Sequence, residues 1–268
     1  MNILAIDFSS KLASVAVFSG GKSQAFLTSE MLAQKVAESG NSNEKPVKPL
    51  GGSALLTPLV QATIQLSGLK TSDFQLIALS IGPGMFTGLR VAAVTAKTFA
   101  YATGAEVIGV NTLEVQAAKA HAANRSHTGS HTGPIRVAVN AQRQQLFAGQ
   151  YRATGDWQVE QIGDNQIIDR QAWVETWADG DLVSGSGLKL LSSSDGLFNA
   201  AVDSSETTGQ GFQIADQGVW DCDAGSVAEV ALKHFEKGRR DDLWTINPLY
   251  FRPSAAEEKR MARTSANG

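Results

Sequence analysis

The chain has 268 residues, 43% apolar and 18% charged, a balance that supports a packed core and excludes wholesale disorder. Its 23 basic and 26 acidic side chains leave a net charge of −3, which argues against a nonspecific polyanion binder, because phosphate-driven affinity needs clustered Lys and Arg, and leaves room only for a local basic patch. A single cysteine, Cys222, excludes an intrachain disulfide and a thiolate metal cage.

In chain order, Ile3 to Ile6 predicts a short buried strand. The polar turn Asp7-Phe8-Ser9-Ser10 follows, and Ala13 to Phe18, with Val15 and Val17, reads as a return strand ended by Gly20-Gly21. Met1 to Asp7 lacks a basic start and does not read as a secretory signal. Residues 38–53 are polar and rich in Gly and Pro, which predicts a mobile loop. Ser53 then stands as an N-cap before Leu55, Leu56, Leu59, Ile64 and Leu66, an amphipathic helix stopped at Gly68.

A buried strand is predicted over 76–81, a glycine-rich turn over 82–88 and a helix over 89–103, stopped by Gly104. That helix carries Ala92, Ala96 and Ala100 at four-residue spacing, with Ala93 beside them, a stripe that suits close approach of a second helix or of this chain's own sheet. A strand at 107–110, a helix over 114–123 and a loop over 124–134 come next. The second half then opens as the first does. A strand at 135–139 and a turn at Asn140-Ala141-Gln142 precede a return strand at 146–151, which suggests a duplicated two-lobe architecture. Residues 192–223 are rich in Ser, Gly and Asp, 226–235 form a last helix, and the residues after 252 read as a frayed tail.

Several motifs carry chemistry in outline. Glycines between a strand and a helix point backbone N–H groups at an anion, or simply satisfy a tight turn, and both readings stand for Gly82 to Gly88. Leu89-Arg90 occupies the place of a P-loop Lys-Ser/Thr. Asp7, with Ser9 and Ser10, suits a hydrated divalent cation beside phosphates or a plain turn, and its counterpart Asn140 carries no charge. His127 and His131 have metal-ligand spacing, but the Gly and Pro around them predict no helix to align them. Gly185-Ser186-Gly187 reads as a turn rather than a nucleophile elbow, and Cys222 has no base near it in sequence.

At 81–90 the chain reads Ile-Gly-Pro-Gly-Met-Phe-Thr-Gly-Leu-Arg, and here it resembles the TsaB (YeaZ-type) family of bacterial tRNA threonylcarbamoyladenosine synthesis, which has Ser where Met85 stands. Ile3 to Ser10, Ser14 to Val17, Ala141, Pro248, Tyr250 and Arg252 also fit. The resemblance implies an α/β fold of the actin-like type (ASKHA, ribonuclease H-like), two lobes with mixed sheets flanked by helices. It divides the chain into an N-terminal lobe at 1–110, a C-terminal lobe at 111–252 whose last helix packs back on the first, and a tail at 253–268.

The family pairs with a TsaD-type catalytic subunit and, with a TsaE-type ATPase, supports threonylcarbamoylation of adenosine 37 in tRNA. The resemblance therefore implies a non-catalytic subunit that touches tRNA through the complex, forms a homodimer when alone, and works in the cytoplasm without a membrane contact. The catalytic relative carries a His-x-x-x-His metal motif where Thr112 and Gln116 stand here, so neither a catalytic residue nor a metal ligand is expected. Family members pair through first-lobe helices, which nominates Leu55, Leu59, Leu89, Ala92, Ala93, Ala96 and Ala100 as the partner interface. No cofactor is required, and weak ATP or ADP binding is left to Asp7, Ser9, Ser10, Gly82, Gly84, Thr87 and Gly88. Gly52 stands in the place of a family His, and Asn140-Ala141-Gln142 in the place of Asp-Ala-Arg. The competing class is an active small-molecule kinase of the same fold, which needs Mg-ATP ligands in both lobes.

Overall fold

The computed structural model describes residues 1–39, 52–128, 131–194 and 211–251. The loop expected over 38–53 lies mostly outside them, as do most of the Ser- and Gly-rich stretch before 211 and the tail after 251.

Two mixed sheets repeat one plan. In the first, β1 (Asn2–Asp7), β2 (Ser14–Ser19) and β3 (Lys22–Thr28) form an antiparallel meander, and β4 (Leu76–Gly82) and β5 (Glu106–Asn111) add in parallel beyond β1, giving the order β3-β2-β1-β4-β5. In the second, β6 (Ile135–Asn140), β7 (Gln145–Gly155) and β8 (Gln158–Gln161) form the meander, and β10 (Leu182–Ser184) and β11 (Gln213–Ile214) add in parallel beyond β6. Strand β9 (Gln166–Asp169) pairs with β7 off this path. The faint self-similarity of the sequence is thus a real repeat of topology.

The strands read as continuous apolar runs because the first sheet is covered on both faces. Leu4 and Ile6 of β1 point to α2 (Leu56–Ser67) and α3 (Phe86–Thr103), while Ile3 and Ala5 point the other way. That second face packs on α4 (Thr112–Thr128) and on α7 (Ala224–Glu236), the last helix, which lies against β1, β2, β4 and β5. Helix α4 packs against both sheets. Val115 and Ala118 face the first sheet, Leu113, Ala117 and Ala120 the second, and His234 Nε2 of α7 meets Glu114 at 2.8 Å.

Gly68 and Gly104 end α2 and α3 in left-handed geometry, as predicted. Three local expectations are corrected. Helix α2 begins at Leu56 after a 3-10 turn over Gly52–Leu55, so its N-cap is Leu55 and not Ser53. Helix α4 runs on to Thr128, through residues read as loop: its first three turns are packed between two sheets and the helix propagates from them into polar sequence. The element α1 (Ser29–Ser39) and strand β3 went unread: β3 buries only Ala25 and Leu27, too short an alternation to stand out. The short helices α5 (Arg170–Val174) and α6 (Leu188–Ser194) complete the described elements.

After α7 the chain becomes a strap. Asp241 bridges to Val107 on the open edge of β5, and its Oδ2 accepts from Gly109 N at 2.8 Å. Leu249 N donates to Ile81 O at 2.7 Å. Phe251 then reaches Phe147 in the second lobe, with ring centroids 5.7 Å apart.

Candidate functional site

The glycine-rich turn is built for close packing. A Cβ on Gly84 would stand 2.3 Å from Ser9 O, and one on Gly88 2.2 Å from Phe8 O. Both oxygens belong to backbone that cannot swing aside, so only glycine lets the turn lie on the end of β1. Met85 N donates to Ser9 O at 2.7 Å, and Leu249 O of the strap lies 3.1 Å from where a Gly82 Cβ would be.

Asp7 sits beneath this lid with no exposed surface. Its Oδ1 accepts from Ser80 Oγ and from Ser9 N at 3.1 Å. Burial raises its pKa above the ordinary carboxylate value against the opposing pull of those hydrogen bonds. Ser9 is buried, and Ser10 Oγ closes a local turn with Leu12 at 3.2–3.3 Å. Of the residues nominated for a nucleotide, Asp7 and Ser9 are buried, Gly84 and Gly88 pack on the backbone of Ser9 and Phe8, Gly82 packs against Leu89 and Leu249, and Thr87 alone is well exposed. Asn140 takes the matching place in the second lobe as a turn former, accepting from Gln142 N at 2.7 Å.

The residues nominated for the partner interface face inward in this chain. Leu59, Leu89, Ala92, Ala93, Ala96 and Ala100 are each at most 5% exposed, and the small stripe lets α3 seat tightly on this chain's own sheet. Leu55 is half-buried. The face that remains open on α3 is Arg90, Val94, Lys97 and Tyr101, an i, i+4, i+7, i+11 series that has the same helical period as the alanine stripe. Val94 is 65% exposed and Tyr101 71%. The strap extends this face: Trp244, 73% exposed, meets Tyr101 edge-on at 5.8 Å, and Lys97 Nζ donates to Trp244 O at 3.3 Å. Arg90 lies 3.9 Å over the Phe86 ring and donates from Nε to Tyr250 Oη at 2.9 Å. Sequence reasoning missed this patch because the strap joins it from about 150 residues away.

At the floor between the lobes, Thr112 and Gln116 share one side of α4, each 1% exposed, and Gln116 Oε1 lies 3.0 Å from where a Gly185 Cβ would stand. Cys222 is buried beside Asp7, whose presence after burial holds its thiol pKa well up, so it is not a reactive thiolate. Among the described residues no group of three or more His, Cys, Asp or Glu side chains could hold a metal ion. His131 Nε2 stands 3.3 Å from Pro134 O, and residues 129 and 130 between it and α4 lie outside the described set.

Comparison with known proteins places this arrangement. A family described as TsaD, tRNA N6-adenosine threonylcarbamoyltransferase, matches residues 53–176. The TsaB protein of Escherichia coli, a tRNA threonylcarbamoyladenosine biosynthesis protein, is 27% identical over 224 residues, 75% of this chain and 86% of its own length. The chain is similar to TsaB proteins. Relatives also include a probable bifunctional tRNA threonylcarbamoyladenosine biosynthesis protein of Thermoplasma volcanium, 29% identical over 44% of this chain and 21% of its own. The chain spans between 21% and 60% of the length of the first three curated relatives it matches. The solved structure of YeaZ from Pseudomonas aeruginosa, 20% identical, superposes with a TM-score of 0.64 over 93% of this chain and 99% of that one. The chain therefore shares the fold of that structure, two mixed sheets flanked by helices.

Proposed function

We propose that this chain is the non-catalytic partner subunit that binds and activates a TsaD-type enzyme in the threonylcarbamoylation of adenosine 37 in tRNA. The observation that carries the reading is the open face that α3 forms with the strap, where Val94, Tyr101 and Trp244 are each more than 60% exposed beside Arg90 and Lys97. Exposed aromatic and aliphatic side chains rimmed by cations are the composition of a protein interface. The partner would lie across this face and the outer side of α2, where Leu66 is 55% exposed. The same face would support a homodimer when the partner is absent.

In this role the chain supplies shape rather than chemistry and needs no cofactor of its own. The TsaE-type ATPase and the tRNA would engage the assembled pair in the cytoplasm. No described helix is long and apolar enough to cross a membrane. An active kinase finds less support, since Asp7 is enclosed and Asn140 supplies no second carboxylate.

Mass spectrometry of tRNA nucleosides after depletion of this protein tests the reading. Loss of threonylcarbamoyladenosine, restored by the wild-type chain and not by Tyr101→Glu, is the expected result. An unchanged nucleoside level would overturn it.

A further inference from the structure

Away from these surfaces, a groove of about 580 Å³ opens between the C-terminal half of α4, the β7–β8 turn and the 3-10 turn at Gln217–Val219. The small side chains Ala122 and Ala123 leave its floor open, and Val219 closes one side. Lys119 and Arg125 line it from α4, and Asp156 and Trp157 from the β7–β8 turn. Small-molecule sites usually occupy about 300–1,000 Å³, so the space suits a ligand of nucleotide size.

Trp157 is an unusual choice at its position. Its φ is +55°, a left-handed conformation that glycine fills readily and a bulky side chain seldom adopts. The indole packs in part on the apolar cluster beneath it and is otherwise presented to the groove. Across from it, Arg125 Nη1 meets Asp156 Oδ1 at 3.3 Å, with the two side chains 46% and 58% exposed. An exposed pair of this kind contributes little, so Arg125 exchanges Asp156 for a better anion at small cost. Lys119 adds positive charge at the inner end, held in place by Asp223 and by Asp221 O at 2.9 Å.

We propose that this groove binds a nucleoside monophosphate unit, with its base stacked on Trp157 and its phosphate on Arg125. A π-face beside a planar guanidinium is what such a unit requires, and base–aromatic stacking tolerates any base. The unit is either a free nucleotide or an unpaired nucleotide of an RNA strand. The site is separate from the α3 face, and binding is read on the isolated chain, so its failure leaves the partner-subunit reading standing.

Isothermal titration of the full chain with AMP, and separately with a four-nucleotide adenosine RNA, tests the proposal. Saturable binding with Kd on the order of 1 mM or tighter is expected, weakening as salt rises. Trp157→Gly, which suits the turn's backbone, and Arg125→Glu, at an exposed position, should each weaken it about tenfold or more. A clear preference for AMP identifies a free nucleotide, and tighter binding of the oligonucleotide identifies RNA. Binding of neither probe, or binding that survives both substitutions in chains that retain their melting temperature, overturns the site.

Discussion

At the scale of single residues, the chain spends its polar groups on closing the end of β1. Asp7 is fully enclosed, and burial raises its pKa above the unfolded value, so the folded state binds the proton more tightly. The linkage has a definite sign. Asp7's contribution is fully present below about pH 4, where both states are protonated, and it declines as pH rises through the folded pKa. Asp7→Asn keeps an acceptor for Ser80 and Ser9 without a charge to bury. Its melting temperature should exceed that of the wild type by an amount that grows from pH 4 to pH 8, and thermal melts at several pH values check this. A gap that narrows with pH would refute the enclosed-acid account. Gly88→Ala places a methyl 2.2 Å from Phe8 O, a backbone atom, and overpacking of that kind costs about 1–3 kcal/mol. The expected fall in Tm is roughly 4–10 °C, read by calorimetry. A strand-end carboxylate and a glycine turn were both legible in the sequence. That the turn packs on the backbone just after that carboxylate was not, because the contact between Gly84 and Ser9 joins elements 75 residues apart and local pattern carries no record of it.

At the scale of elements, α3 shows what helical periodicity decides and what it leaves open. Its length, its glycine stop and its two stripes are all written at a period of 3.6 residues. The stripe 92, 96, 100 and the stripe 90, 94, 97, 101 have equal claim to either face until the sheet beneath is known. Small side chains suit a helix–helix contact and a helix–sheet contact alike, and here the sheet takes them: Ala92 and Ala96 have no exposed surface. Two substitutions separate the faces. Ala96→Trp forces a large ring into filled space and should unfold or strongly destabilise the chain. Tyr101→Glu, at a position 71% exposed, should leave Tm within about 2 °C while abolishing capture of the proposed partner subunit. Sedimentation of the two variants with that partner, alongside thermal melts, reads both outcomes. If Tyr101→Glu still captures the partner, the interface is not on this face.

At the scale of the whole molecule, the repeat of β-order in the two sheets explains why the second half of the sequence opens like the first. It does not explain how two lobes behave as one body, and that answer lies in contacts of very long sequence separation. Helix α4 passes between the sheets, and Lys119 on it donates to Asp221 O at 2.9 Å and pairs with Asp223. Asp223 in turn caps α7, accepting from Ser226 N at 2.8 Å, and α7 lies on the first sheet. The ion pair is well shielded, with side chains 14% and 26% exposed, so removing one partner leaves a charge poorly compensated. Lys119→Met keeps the apolar stem and removes the ammonium. Discounted for partial solvent access, the loss should be about 1–3 kcal/mol, less than the fully buried case. The double variant Lys119→Met/Asp223→Asn should recover part of it, since the stranded charge is then gone and the amide still caps α7. Urea unfolding followed by tryptophan fluorescence and by far-ultraviolet dichroism checks both. Coincident transitions that shift together to lower urea would place the tie within one cooperative unit. Transitions that separate in Lys119→Met alone would show that this pair is what holds the lobes to a common unfolding step.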